Sequence, residues 1–475
     1  MNRRSFLSRS LLGAASLGVG TLPFGRVRSA NAAGPLPTPY PVLAITISGG
    51  WDSAMHLVAT PNGRFGDVTI ENRLPSSSFI TTSSGITYVP SVVTPTGKTQ
   101  FKDHLKDVAL IRAVEGSGFH GAIAATWFGR VISDSGDRFR RLPWASQLAA
   151  QFRERGLIVP KPVSVAYFNR PQDVTPEPFR DLVSYGTQIP DPATRPDRIS
   201  SVRGFFDAIE TTGLPPPGLQ KEAYDLIDAL DQRGPLLTQD DYAARFTSAN
   251  KATREVLGRV AAGPAWPPSP ANITALGLDP TKLNADLAGV APSAVHMFAL
   301  TYQALANNLS HVIGFRLNSP ADSHIENVIR QTTLGVQLWP ALGRLITLMK
   351  ATTSPIDPSK SLFDTTNIWI SSEMGRSAEH EVFTTGPLAG VVSGTRHWRP
   401  NQAVFMGGRF KRGVAIGGFT PKWQAKKVNP ATGLEAGGIT LGFENSIATV
   451  MKAAGGDPSQ FTNAAPVDAI LDMSR

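Results

Sequence analysis

Five short apolar runs set the limits on how this chain can fold. They cover Val42–Ile47, 108–114, 163–167, 312–315 and 366–371. The first stops at Ser48-Gly49-Gly50, and the second at Glu115-Gly116-Ser117-Gly118. Each has strand length, is rich in valine and isoleucine, and lacks the polar alternation of a half-exposed strand. Helical spacing marks the intervening stretches at 143–155, 219–232, 240–262, 293–309 and 328–351. In the last of these, Leu334, Leu338, Leu342, Leu345 and Met349 share one stripe, with a kink predicted at Pro340. Strands alternating with helices predict an α/β fold with a mostly parallel sheet covered on both faces.

The stretch from about 170 to 290 breaks this rhythm. It carries Pro215-Pro216-Pro217 and Pro267-Pro268-Ser269-Pro270, and strand signals are few. It reads as a helical, proline-rich insertion or cap on a single α/β domain spanning 33–475. There is no internal repeat.

Composition removes several function classes. With 41% hydrophobic and 17% charged residues the chain can bury a core and is not a disordered polymer. It has no cysteine, which excludes disulfides, thiolate metal sites and a cysteine nucleophile. The formal charge of +9 looks like a nucleic-acid signal, but five arginines and no acids lie within residues 1–32, and without that segment the charge is +4. A balance that small in ~440 residues does not call for a nucleic-acid partner.

That first segment reads as an export signal. Arg3-Arg4 precede Phe6-Leu7 and a diluted apolar stretch from Leu11 to Val19, and Ala30-Asn31-Ala32 is a small-x-small cleavage site. The arginine pair resembles a twin-arginine signal. The apolar stretch is too short for a stable membrane span, and no other segment reaches the ~20 apolar residues that one needs. The expected location is the bacterial periplasm or beyond, and the expected partner is the twin-arginine export machinery.

In open α/β sheets, ligands bind beyond the carboxyl ends of the strands. Several polar residues fall there: Asp52 after the first run, Ser117 and His120 after the second, Asp322 and His324 after the fourth, and Glu373 and Arg376 after the fifth. His397 follows about twenty residues later. Carboxylates and imidazoles suit Zn, Mn, Mg or Ca, so Asp52, Asp322, His324, Glu373 and His397 are candidate metal ligands. Arg376 can hold an anionic substrate by paired hydrogen bonds. Each residue also has a structural reading. Asp52 can cap a helix, as can His120; Glu373 and Arg376 can form an ion pair; His397 can pack on Trp398; His324 can sit hydrogen-bonded at the surface. The other five histidines, at 56, 104, 296, 311 and 380, read as structural or solvated.

Taken in order, several segments resemble a family of bacterial exported proteins called domain of unknown function 1501, itself similar to the alkaline phosphatase and sulfatase superfamily. They are the twin-arginine start, Gly49-Gly50-Trp51-Asp52, Asp322-Ser323-His324-Ile325-Glu326-Asn327, Ser372-Glu373-Met374-Gly375-Arg376, His397-Trp398 and the glycine-rich run from Gly407 to Gly417. The ending, from Ala448 through Pro466-Val467, is also similar to the family's last helix and tail. The resemblance implies an alkaline-phosphatase-like, three-layer α/β/α sandwich. It further implies two metal sites, one served by Asp52 and Glu373 and the other by Asp322, His324 and His397, with a nucleophile near Ser117 to His120. The family usually has Asp before the late histidine, where this chain has Arg396. An arginine there either replaces a cation electrostatically or removes one site. The expected function is metal-dependent hydrolysis of phosphate or sulfate esters; the alternative is a non-catalytic binder of an anionic glycan that has lost one metal site.

Overall fold

The computed structural model describes residues 37–47, 49–58, 64–65, 68–69, 79–116, 143–154, 165–168, 196–199, 270–277, 294–317, 323–324, 326–382 and 392–475. The export signal, Ser117, His120, Asp322 and most of the 170–290 stretch lie outside these residues.

All five apolar runs are strands of one sheet. We number its strands, and one hairpin outside it, in chain order: β1 Val42–Ile47, β2 Val108–Glu115, β3 Val165–Phe168, β4 Pro196–Ile199, β5 Val312–Leu317, β6 Asn367–Ser372, β7 Gly375–Val382, β8 Val392–Trp398, β9 Pro400–Met406 and β10 Val414–Ile416. The eight-stranded sheet has the order β10-β2-β9-β6-β1-β5-β3-β4. Every neighbouring pair is parallel except the two made by β9, which runs antiparallel to both β6 and β2. Strands β7 and β8 form a separate antiparallel hairpin that leaves the sheet after β6 and returns into β9.

Side chains alternate strictly between two cores, as the two-residue strand period requires. Leu43, Ile45 and Ile47 of β1, Ile368 and Ile370 of β6, and Val404 and Met406 of β9 face one core with helices α2 (Ala294–Ala306) and α3 (Asn327–Ala351). Val42, Ala44, Trp369, Ala403 and Phe405 face the other, with helices α1 (Trp144–Glu154) and α4 (Phe443–Ala453). This is a three-layer α/β/α sandwich, and the parallel centre is apolar on both faces because both are covered. The predicted stripe on α3 is fully buried from Leu334 to Met349, and Pro340 sits inside the helix.

Two features differ from the sequence reading. The stretch read as a helical insertion supplies a sheet strand, β4, at the edge of the sheet, where its first residue Pro196 is tolerated because one side of an edge strand needs no partner. The antiparallel strand β9 and the hairpin β7–β8 were also not foreseen. Among the described residues no helix is long and apolar enough to cross a membrane.

Leu342 of α3 is fully buried in the first core. Leu342→Ala should therefore cost about 2–5 kcal/mol through lost burial and the cavity left behind. Urea unfolding would read this as a lower midpoint at unchanged slope.

Candidate active site

The parallel strands β1, β5 and β6 end together, and the chain beyond each supplies one part of the site. After β1, Gly49 and Gly50 both take φ near +91°, a conformation closed to most side chains. A Cβ on Gly50 would also stand 2.6 Å from Arg376 Nε. The double-glycine turn lets Trp51 resume parallel pairing beside Gly375, with its N–H on the Met374 carbonyl at 3.0 Å. Asp52 is thereby delivered, fully buried, to the carboxyl edge of the sheet.

Asp52 does two jobs. Oδ1 accepts the Ala54 N–H at 3.1 Å and caps the short 3-10 turn Ser53–Met55, as the capping reading expects. Oδ2 accepts from Asn327 Nδ2 at 2.7 Å. The Asp52 N–H is taken by Gln331 Oε1 at 3.1 Å. Asn327 and Gln331 lie four residues apart on α3, so they share one helix face. The other atoms of both amides are spent close by. Gln331 Nε2 donates to the Gly50 carbonyl at 3.1 Å and to Ser323 Oγ at 3.3 Å. Asn327 Oδ1 accepts from Ser323 Oγ at 2.5 Å and from Thr395 Oγ1 at 3.3 Å.

His56 completes this network. Trp339 Nε1 can only donate, and it donates to His56 Nδ1 at 3.1 Å. The imidazole proton must then sit on Nε2, which donates to Gln331 Oε1 at 3.1 Å. Burial drives the His56 pKa from 6.5 down to about 3, against a smaller opposing effect of the Gln331 bond. It is a neutral structural histidine.

Glu373 follows β6 and is buried. Its Oε1 accepts the Gly49 N–H at 2.8 Å, so the two candidate acids at the ends of β1 and β6 belong to one hydrogen-bonded turn. Arg376 lies beneath them, 1% exposed. Its Nη1 donates to the Thr395 carbonyl at 3.1 Å and its Nη2 to the Gly49 carbonyl. Buried and turned onto two carbonyls, it ties the glycine turn to the hairpin.

That hairpin brings in His397, which is paired with Arg376 across β7–β8. His324, beyond the end of β5, meets it: the two Nε2 atoms are 2.8 Å apart and the ring centroids 4.6 Å apart. At that distance one ring nitrogen donates and the other accepts, and a slight parting of the rings would admit one cation between them. Arg396 is exposed, whereas Thr395 is buried. Strand alternation puts Arg396 on the face opposite Thr395 and His397.

The donor types fit a borderline divalent cation such as zinc, and the histidine pair offers two imidazoles converging on one point. Hydrogen-bonded carboxylates such as Asp52 and Glu373 are what metal-binding acids usually look like, since outer partners orient the ligand. Among the described residues no three of His, Asp and Glu stand together as a complete ligand set. Asp322, the third residue expected with the histidine pair, lies outside the described residues, as do Ser117 and His120.

A cleft of about 520 Å³ opens beside His397, lined also by Trp398, Arg399 and Glu115 among others. Sequence reasoning passed over Glu115, Asn327 and Gln331. For the two amides a signal existed: they continue the Leu334–Leu338 stripe of α3 at helical spacing, so their polar groups were bound to be buried.

No protein-family model matches the chain, and no curated sequence is similar to it. Similar solved structures do exist. One is a protein in the alkaline phosphatase superfamily from Vibrio parahaemolyticus, at TM-score 0.37 and 8% identity, covering 93% of this chain and 71% of that one. Another is the lipoteichoic acid synthase LtaP from Listeria monocytogenes, at TM-score 0.37 and 10% identity, covering 91% of this chain and 74% of that one.

His56 makes stability depend on pH. Its folded pKa lies below its ordinary value of 6.5, so the unfolded chain binds a proton that the folded chain refuses. This contribution is intact above pH 6.5 and is lost as pH falls toward 3, at a limiting ~1.4 kcal/mol per pH unit. Urea midpoints recorded from pH 7 to pH 4 should fall more steeply for the wild type than for His56→Gln.

Proposed function

We propose that this chain is an exported, metal-dependent hydrolase of phosphate or sulfate esters. The observation that carries the proposal is the meeting of His324 and His397 at 2.8 Å, at the same sheet edge as the buried acids Asp52 and Glu373. Two acids and two imidazoles at the carboxyl ends of parallel strands are the donor set of a hydrolytic divalent-metal centre. A cation held there lowers the pKa of bound water or polarises a phosphoryl or sulfuryl oxygen.

The chain's own residues have distinct parts in this reading. His324 and His397 hold one cation, with Asp322 as their expected third ligand. Asp52 and Glu373 hold a second, or complete the field around the first. Arg376, Asn327 and Gln331 are positioning residues, fixing Asp52 and the glycine turn before substrate arrives. The nucleophile belongs to Ser117 or His120, which follow Glu115 of β2 by two and five positions. Membership of the exported family, a periplasmic location and passage through the twin-arginine machinery belong to the same reading, and rest on residues 1–32 and on the ordered motifs.

The rival reading, a non-catalytic binder of an anionic glycan, drew on Arg396 as a residue displacing a metal. The exposure of Arg396, opposite His397, weakens that motive.

The test is metal content joined to turnover. The mature chain from Ala33, purified without chelator, should carry one or two equivalents of Zn, Mn, Mg or Ca by mass spectrometry and cleave a generic aryl phosphate or sulfate. His397→Ala and Glu373→Gln should lose metal and turnover together. Asn327→Ala, which removes an orienting partner of Asp52 without touching a candidate ligand, should lower metal affinity or activity by about 10- to 100-fold. A chain that takes up none of these ions and cleaves neither ester would refute the proposal.

A further inference from the structure

The cleft beside His397 has a chemistry that the metal centre does not account for. Four joined segments build its walls. Glu115 closes β2, and its N–H donates to the Leu441 carbonyl at 2.7 Å, beside Thr440. The next residue, Gly116, donates to the Arg399 carbonyl at 2.8 Å, which locks the β8–β9 corner against the end of β2. Trp398 Nε1 donates to the Trp423 carbonyl at 2.7 Å, and Trp423 Nε1 donates to the Arg376 carbonyl at 3.2 Å, so the wall carrying Gln424 is fixed to the catalytic hairpin. The cleft is therefore built in advance of any ligand. Its volume of about 520 Å³ lies within the ~300–1,000 Å³ range of small-molecule sites.

The lining is polar, mixed and nearly neutral. It presents one carboxyl (Glu115), one guanidinium (Arg399), one amide (Gln424), one hydroxyl (Thr440) and one indole (Trp398), with His397 at the metal end. A purely anionic ligand would face the Glu115 carboxyl, and an apolar one would leave the carboxyl, guanidinium, amide and hydroxyl unused. A ligand with many hydroxyls, each both donor and acceptor, satisfies acid, base and amide together, while its C–H surface packs on an indole. Burial pushes the Glu115 carboxyl pKa up, partly opposed by Arg399, as expected of an acid set into a wall rather than left in bulk water.

We propose that this cleft is a saccharide subsite, in which Glu115, Arg399 and Gln424 take ring hydroxyls beside Trp398, one end of the ring reaching His397. The inference deepens the ester-hydrolase reading, on which it rests for the statement that this sugar is the organic part of the substrate. The binding itself needs no metal.

The test uses cellobiose, maltose and N,N′-diacetylchitobiose with the folded full chain, read by saturation-transfer NMR and titration calorimetry. At least one should bind at ~10 mM or below. Glu115→Gln and Gln424→Ala should each weaken it about tenfold or more with thermal melting unchanged, while Glu373→Gln should abolish metal-dependent turnover and leave sugar binding intact. No binding by the wild type to any of the three overturns the subsite, as does binding that survives both cleft variants. Binding of glucose 6-phosphate with none of the neutral sugars also overturns it, because the anion alone would then be recognised. Ester turnover without sugar binding leaves the hydrolase standing and removes the subsite. Sugar binding lost in the cleft variants, with no metal and no turnover, does the reverse.

Discussion

Two side-chain amides on one turn of α3 hold the carboxyl edge of the sheet in place. Asn327 and Gln331 face a buried turn, and between them they bond the Asp52 carboxylate, the Asp52 N–H, the Gly50 carbonyl, Ser323, Thr395 and His56. Each partner is out of reach of water, so each amide atom lost would leave a buried group unsatisfied, at ~1–3 kcal/mol apiece. The network is also directional. Trp339 fixes the His56 tautomer, His56 and the Asp52 N–H together orient the Gln331 amide, and Gln331 reaches the glycine turn. Ordering therefore passes from the apolar core of α3 outward to the carboxylate, and the acid is set before any ligand arrives.

Arg376 plays the complementary part from below. A buried guanidinium is costly unless its donors are used, and here its two terminal nitrogens bond carbonyls of different segments, Gly49 and Thr395. Gly375 beside it is packed so closely against the Pro400 carbonyl that no Cβ would fit. The turn after β1, the turn after β6 and the hairpin thus form one rigid piece, and His397 is carried on it to meet His324.

Much of the sheet was legible in the sequence, because buried parallel strands announce themselves as unbroken apolar runs between glycine-rich stops. Val42–Ile47 is the clearest case, and α3 followed from its leucine stripe. The strands that escaped notice did so for physical reasons. β9 opens Pro400-Asn401-Gln402, and these polar side chains are buried, with Asn401 Nδ2 donating to the Ser372 carbonyl. β10 is only three residues long. The residue types after each strand pointed to the carboxyl edge of the sheet, where Asp52, Glu373 and the His324–His397 pair stand, and the capping role of Asp52 was readable from its place after two glycines. The bonds of Arg376 were not, because the two carbonyls that it bonds are backbone atoms, and one is on a hairpin with no strong sequence signal. The meeting of His324 with His397, 73 positions apart, depends on that same hairpin.

Strands β6 and β9 are antiparallel neighbours in the sheet, and neighbours of that kind can be joined by a two-residue turn. Here the link is the whole of residues 373–399, with Glu373, Arg376, Thr395, His397 and Trp398 on it. The sheet does not need this excursion for its own closure. The candidate donors Glu373 and His397 therefore stand on a link pinned to the scaffold, at Gly375 by the Pro400 carbonyl and at Thr395 by Arg376, and exchanging either side chain leaves the pairing of β6 with β9 as it is.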